Sequence, residues 1–144
     1  MLLTYLNPQA VPTQDELAQE LGTDKMGITA PGYMLGVVQS RSYAEVYSNE
    51  NLNIDMLKEL ISYEIPINTM GGFRYPTHWV VAVGYDDTSK ELIVNDPQVK
   101  GGGQKDRHYD YSLFDQLWTS SPIVRGQRNG VVVPYNGSTY IPPP

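Results

Sequence analysis

The chain is 144 residues long, enough for one domain with its own hydrophobic core. A hydrophobic share of 40% excludes a disordered acidic tail, and a net charge of −6 with a pI of about 4.7 argues against a nucleic-acid reader, which needs a basic patch. The absence of cysteine excludes disulfides, thiolate metal sites and a cysteine nucleophile within these residues.

Residues 1–6 read as the last turn or two of an apolar helix that Pro8 ends. No cap precedes them, so the expectation is a domain whose sequence starts upstream. The stretch lacks a basic n-region and is too short for the apolar core of a signal peptide. The longest apolar run, Trp79 to Val83, is about a quarter of the ~20 residues a membrane-spanning helix needs. Thr13-Gln14-Asp15-Glu16 is a capping box, and Asp15 and Glu16 suit the positive end of a helix dipole. Leu17 and Leu21 form the buried stripe and Gly22 stops the helix, which predicts helix over residues 14–21. Thr29-Ala30-Pro31 starts a second helix with Tyr33, Met34 and Val37 toward the core, although Gly32 and Gly36 weaken it. Tyr43 to Tyr47 reads as a short strand. Asn53 opens a third helix in which Ile54, Leu57, Leu60 and Ile61 keep helical spacing, ending near Tyr63.

The pattern then changes to strands. Ile65 to Asn68 is a strand whose Pro66 marks a sheet edge or a strand start. Gly71 to Pro76 is a loop. His78 to Tyr85 is an apolar, β-branched run and predicts a buried central strand. Asp86 to Ser89 is a hairpin turn served by Asp86 and Asp87, and Glu91 to Asp96 is the return strand that Pro97 ends. Gly101-Gly102-Gly103 marks a flexible loop. Tyr111 to Trp118 reads as a short amphipathic helix capped by Ser112, with Leu113, Leu117 and Trp118 inward. Gly130 to Val133 suggests a last strand, and residues 141–144 form a Pro-rich extended tail. Helices followed by an antiparallel sheet place the chain in the α+β class.

Several kinds of site can be set aside. There is no P-loop, and the triple glycine is better read as a mobile loop than as a phosphate cradle. His78 and His108 lie too far apart in sequence for a recognisable metal-ligand spacing, so neither a metal nor a cofactor is expected. His108 reads as a solvated loop residue. Asn136-Gly137-Ser138 is a glycosylation sequon of a kind common by chance. Eleven tyrosines against two phenylalanines suit an extracellular or cell-surface protein.

The informative stretch runs from His78 to Pro97. In a hairpin the start of one strand lies beside the end of the next, so Asp96 is expected near His78. A carboxylate beside an imidazole fixes its tautomer and stabilises the imidazolium, and a nucleophile from elsewhere would complete a triad. The same pair also suits a strand end whose two polar groups only satisfy each other. Strand alternation turns Trp79 to the face opposite His78, toward core packing more than substrate. Arg74 and Tyr75, in the loop before His78, could border a substrate groove.

The sequence Thr77-His78-Trp79-Val80-Val81-Ala82-Val83-Gly84-Tyr85-Asp86, followed by Ile93-Val94-Asn95-Asp96-Pro97, resembles the histidine and aspartate motifs of C39-like peptidases of the papain-like superfamily. Leu57 to Ile61 with Ile65 to Ile67, Pro12 to Ala18 with Leu21 to Thr23, and Phe114 to Trp118 are similar to that family too. The resemblance runs from about residue 2 to about residue 120. It implies a papain-like fold with N-terminal helices packed on an antiparallel sheet. It also implies His78 as general base, Asp96 as its orienter, and peptide or protein as substrate. The family's cysteine, with the glutamine that helps form its oxyanion hole, precedes the segment matching Leu2 to Leu6. The expectation is therefore a C39-like domain over residues 1–140 that lacks its cysteine-bearing segment and is inert as a cysteine peptidase. The alternative is a non-catalytic peptide-binding or assembly protein on the same fold, self-associating or taking a partner chain where the first helix would lie.

Overall fold

The computed structural model describes residues 12–23, 29–42, 46–97, 104–123 and 125–132. The helix read at 1–6, the triple-glycine loop, the sequon and the Pro-rich tail lie outside them. The described elements, in chain order, are α1 (Gln14–Glu20), α2 (Pro31–Ser42), β1 (Tyr47–Asn49), α3 (Ile54–Ser62), β2 (Ile67–Gly71), β3 (His78–Asp86), β4 (Glu91–Asp96), β5 (Gln104–Asp110), α4 (Tyr111–Thr119) and β6 (Asn129–Val132).

Helix starts follow their caps. The Thr13 hydroxyl accepts from the Glu16 amide at 3.2 Å while the Thr13 amide donates to Glu16 Oε2 at 2.9 Å, closing the capping box. Asn53 Oδ1 accepts from the Met56 amide at 2.8 Å and opens α3. Helix α4 departs from expectation: its cap position is Asp110, not Ser112, and no side chain caps it. Starting the helix at Tyr111 puts Phe114 and Trp118, four apart, on the buried stripe and leaves Leu113 exposed. In α2, Val37 and Val38 are buried and Met34 packs partly buried toward the core as expected, whereas Tyr33 is exposed.

The six strands form one sheet in the order β1-β6-β2-β3-β4-β5, every neighbouring pair antiparallel. The last strand enters between β1 and β2. Strand β2 is therefore interior, and Pro66 marks its start, not a sheet edge. Of the strand read at residues 43–47 only Tyr47 belongs to β1; residues 43–45 lie outside the described part. Strand β5 has no counterpart in the sequence reading, and it places His108 in a strand instead of a loop.

Alternation along the strands divides the core into two layers. On one face Ile67, Val80, Ala82, Leu92, Val94, Tyr109 and Val132 pack against Leu57 and Leu60 of α3 and Phe114 and Trp118 of α4. On the other, Val131 and Trp79 meet Met34, Leu35 and Val38 of α2. Burial of a dozen large apolar side chains at roughly 1.5–3 kcal/mol each is what holds the layers together. At the β3–β4 turn, Asp86 accepts from the Thr88 and Ser89 amides, which hold its carboxyl below the usual range. Asp87 does more than serve the turn. It pairs with Lys58 of α3 at 2.7 Å and accepts from the Tyr111 hydroxyl of α4 at 2.8 Å, tying both helices to the hairpin.

Candidate active site

His78 is the first residue of β3 and Asp96 the last of β4. The pairing of Val81 with Asn95 puts Asp96 level with Val80, two residues from His78 on the same face. That diagonal is short enough for the side chains to meet: His78 Nε2 stands 2.7 Å from Asp96 Oδ1. Both groups are buried, His78 at 8% and Asp96 at 4% exposure. A buried carboxylate is tolerated only with donors around it, so the imidazole donates from Nε2 and Asp96 accepts. Nδ1 is then the nitrogen left with a lone pair. Among the described residues nothing hydrogen-bonds to it.

A third group joins the pair from a strand the sequence reading did not find. Arg107 of β5 lies opposite Val94, and its Nη1 donates to Asp96 Oδ2 at 3.2 Å. Its guanidinium lies over the Tyr109 ring, 4.9 Å from the centroid. Tyr109 is itself seated in the core beside Phe114 and Phe73.

The loop leading into His78 is held at several points. Phe73 packs on Phe114 at 4.9 Å between centroids, the Thr77 hydroxyl donates to Gly71 O, and the buried Ser121 hydroxyl donates to Pro76 O at 2.9 Å. Arg74 and Tyr75 project outward from this loop, Tyr75 at 85% exposure. Trp79 turns to the opposite face, where its Nε1 donates to Thr29 O at 3.0 Å and its ring packs beside Val38 and Val131. The structure thus brings His78, Asp96 and Arg107 together, places Arg74 and Tyr75 on the adjoining loop, and keeps Trp79 away. His108 sits on the other face of β5, its Nδ1 3.5 Å from Glu91. Among the described residues no cluster of three or more histidines and carboxylates could hold a metal ion, and no helix is long and apolar enough to cross a membrane.

A family model described as Peptidase_C39 like matches residues 1–122. The chain belongs to the C39-like peptidase family. Its fold is similar to the crystal structure of a protein from Bacillus anthracis described as a C39-like peptidase, with a TM-score of 0.65 over 92% of this chain and 84% of that one. Sequence identity between the two is 14%, so that likeness carries the fold and not the activity. No curated protein matches the chain by sequence. Within this C39-like fold, the chain offers an imidazole, a carboxylate and a guanidinium in line, and no cysteine.

Proposed function

We propose that His78 and Asp96 are the base half of a thiol-peptidase site whose cysteine comes from outside these 144 residues. The observation that carries this reading is the 2.7 Å contact between His78 Nε2 and Asp96 Oδ1 inside a C39-like fold. A carboxylate on Nε2 leaves Nδ1 to take a proton from an incoming thiol, and it stabilises the imidazolium that results. A thiolate held beside that cation would attack a peptide carbonyl, and the imidazolium would return its proton to the leaving amine. Arg74 and Tyr75, exposed on the loop before His78, would contact the bound peptide. The 144 residues alone hold no thiol and are inert toward peptide bonds, because losing the nucleophile removes orders of magnitude in rate.

The test begins with the intact mass and N-terminal sequence of the protein from its natural source. If an upstream cysteine is present, iodoacetamide at pH 7 alkylates it quickly, and His78→Ala slows the reaction on the order of 10-fold as the thiolate is lost. Alkylation indifferent to His78 would sink the reading.

The absence of cysteine favours one other reading: a domain that binds a peptide beside His78 without cutting it. A natural polypeptide with no cysteine, together with binding that Tyr75→Ala weakens, would decide for it.

A further inference from the structure

We propose that Arg107 is a positioning residue of this site, holding the Asp96 carboxylate charged and aimed at His78. The inference rests on the reading of His78 as the base. Asp96 is 4% exposed, and a bare carboxylate at that depth would take up a proton or turn away. Its two oxygens are divided between functions. Oδ1 faces the imidazole at 2.7 Å and Oδ2 faces Arg107 at 3.2 Å. A carboxylate gripped at one oxygen by a fixed cation cannot rotate its other oxygen away from the imidazole without losing that ion pair.

The grip is itself anchored. A half-exposed arginine on an edge strand would normally wander, at a side-chain entropy cost that makes surface ion pairs worth little. Here the guanidinium rests on the Tyr109 ring, and that ring is fixed by its packing against Phe114 and Phe73. Phe73 belongs to the loop that delivers His78. The aromatic cluster therefore sets the position of the arginine and the approach of the histidine from the same seat. The outer part of Arg107 stays wet, with 40% of its side chain exposed, which keeps its own desolvation cost small.

The readout is the imidazole Nε2 proton of His78 in the NMR spectrum of the 144-residue chain. This proton is visible only when a hydrogen bond shields it from exchange with water. The chain has two histidines, and comparison with His108→Gln assigns the signal. The signal is expected in the parent chain, lost in Arg107→Ala with the amide spectrum still dispersed, and restored in Arg107→Lys. Arg128→Ala breaks a second arginine–carboxylate pair, to Asp115, and is expected to leave the signal in place. Should Arg107→Ala fail to fold, Arg107→Gln is read by the same criterion. A signal that survives loss of the charge, or that lysine does not restore, overturns the proposal. No turnover is needed, so an inert chain does not affect the result. Failure of the base reading would show separately, as alkylation indifferent to His78.

Discussion

Gly71 and Trp118 meet backbone to backbone, so closely that a Cβ on Gly71 would stand 2.5 Å from the Trp118 carbonyl oxygen and 2.7 Å from its Cα. Gly71 is also the residue directly opposite His78 in the β2–β3 ladder. The last turn of α4 thus sits on the strand end that carries the candidate base. The Gly72 amide, which donates to Leu117 O at 2.7 Å, fixes it there. Neither backbone can yield without moving an element, so Gly71→Ala is expected to cost about 1–3 kcal/mol, the usual range for overpacking. The midpoint of urea unfolding measures this. A change indistinguishable from zero would mean that α4 can lift off the sheet.

The pair that joins α4 to the start of β6 sets part of the acid sensitivity. Arg128 donates to Asp115 through Nε at 2.7 Å and Nη2 at 2.9 Å, and these bonds hold the Asp115 carboxyl below its ordinary value of 3.8. A folded-state value below the unfolded one means that the pair stabilises the fold above the unfolded value. That contribution disappears as pH falls through the lower, folded value. Both side chains are about a third exposed, so the effect is modest. Urea midpoints measured from pH 6 down to pH 2 are expected to fall more for the parent chain than for Asp115→Asn. Parallel curves would remove this pair from the acid response.

Two helix caps of similar chemistry are expected to differ in what they are worth. Asn53 caps α3, whose Leu57 and Leu60 are buried, so fraying of α3 opens the core. Thr13 caps α1, which has no buried residue. Asn53→Ala should lower global stability by about 1 kcal/mol. Thr13→Ala should instead raise hydrogen exchange locally in α1 with a smaller shift in the unfolding midpoint, since a helix that is not packed opens on its own. Equal global losses would show that α1 unfolds together with the core.

What the sequence made legible was local. The Thr13–Glu16 capping box, the apolar run of β3 and its hairpin to Asp96 all announce themselves within a few residues, and the structure has each of them. Strand β5 reads Gln-Lys-Asp-Arg-His-Tyr-Asp, and of its inward residues only Tyr109 is buried and apolar, so no alternation of period two reveals it. Among the described strands it lies at the sheet edge, where charges discourage pairing with another chain, and that purpose erases the usual signal. The insertion of β6 between β1 and β2 is a long-range choice that no window of sequence records. The site divides in the same way. His78 and Asp96 sit on one hairpin and could be paired in advance, whereas Arg107 reaches Asp96 only because β5 adds to β4.

Because His78 and Arg107 bind different oxygens of one buried carboxylate, their contributions to stability should not add. His78→Ala leaves Asp96 gripped by Arg107, whereas Arg107→Ala lets the carboxylate turn away from His78 as well. Each single change is expected to cost about 1–3 kcal/mol. Because Arg107→Ala already gives up the His78 contact, the double variant is expected to lose less than the sum of the two single losses by about 0.5–3 kcal/mol, the range for residues sharing one network. Urea unfolding of the four proteins closes the cycle. Repeating it on Asp96→Asn supplies the control, since without the carboxylate charge the shortfall should vanish. Additive losses in the parent background would mean that Asp96 is held chiefly by other groups, and that neither side chain depends on the other for its place.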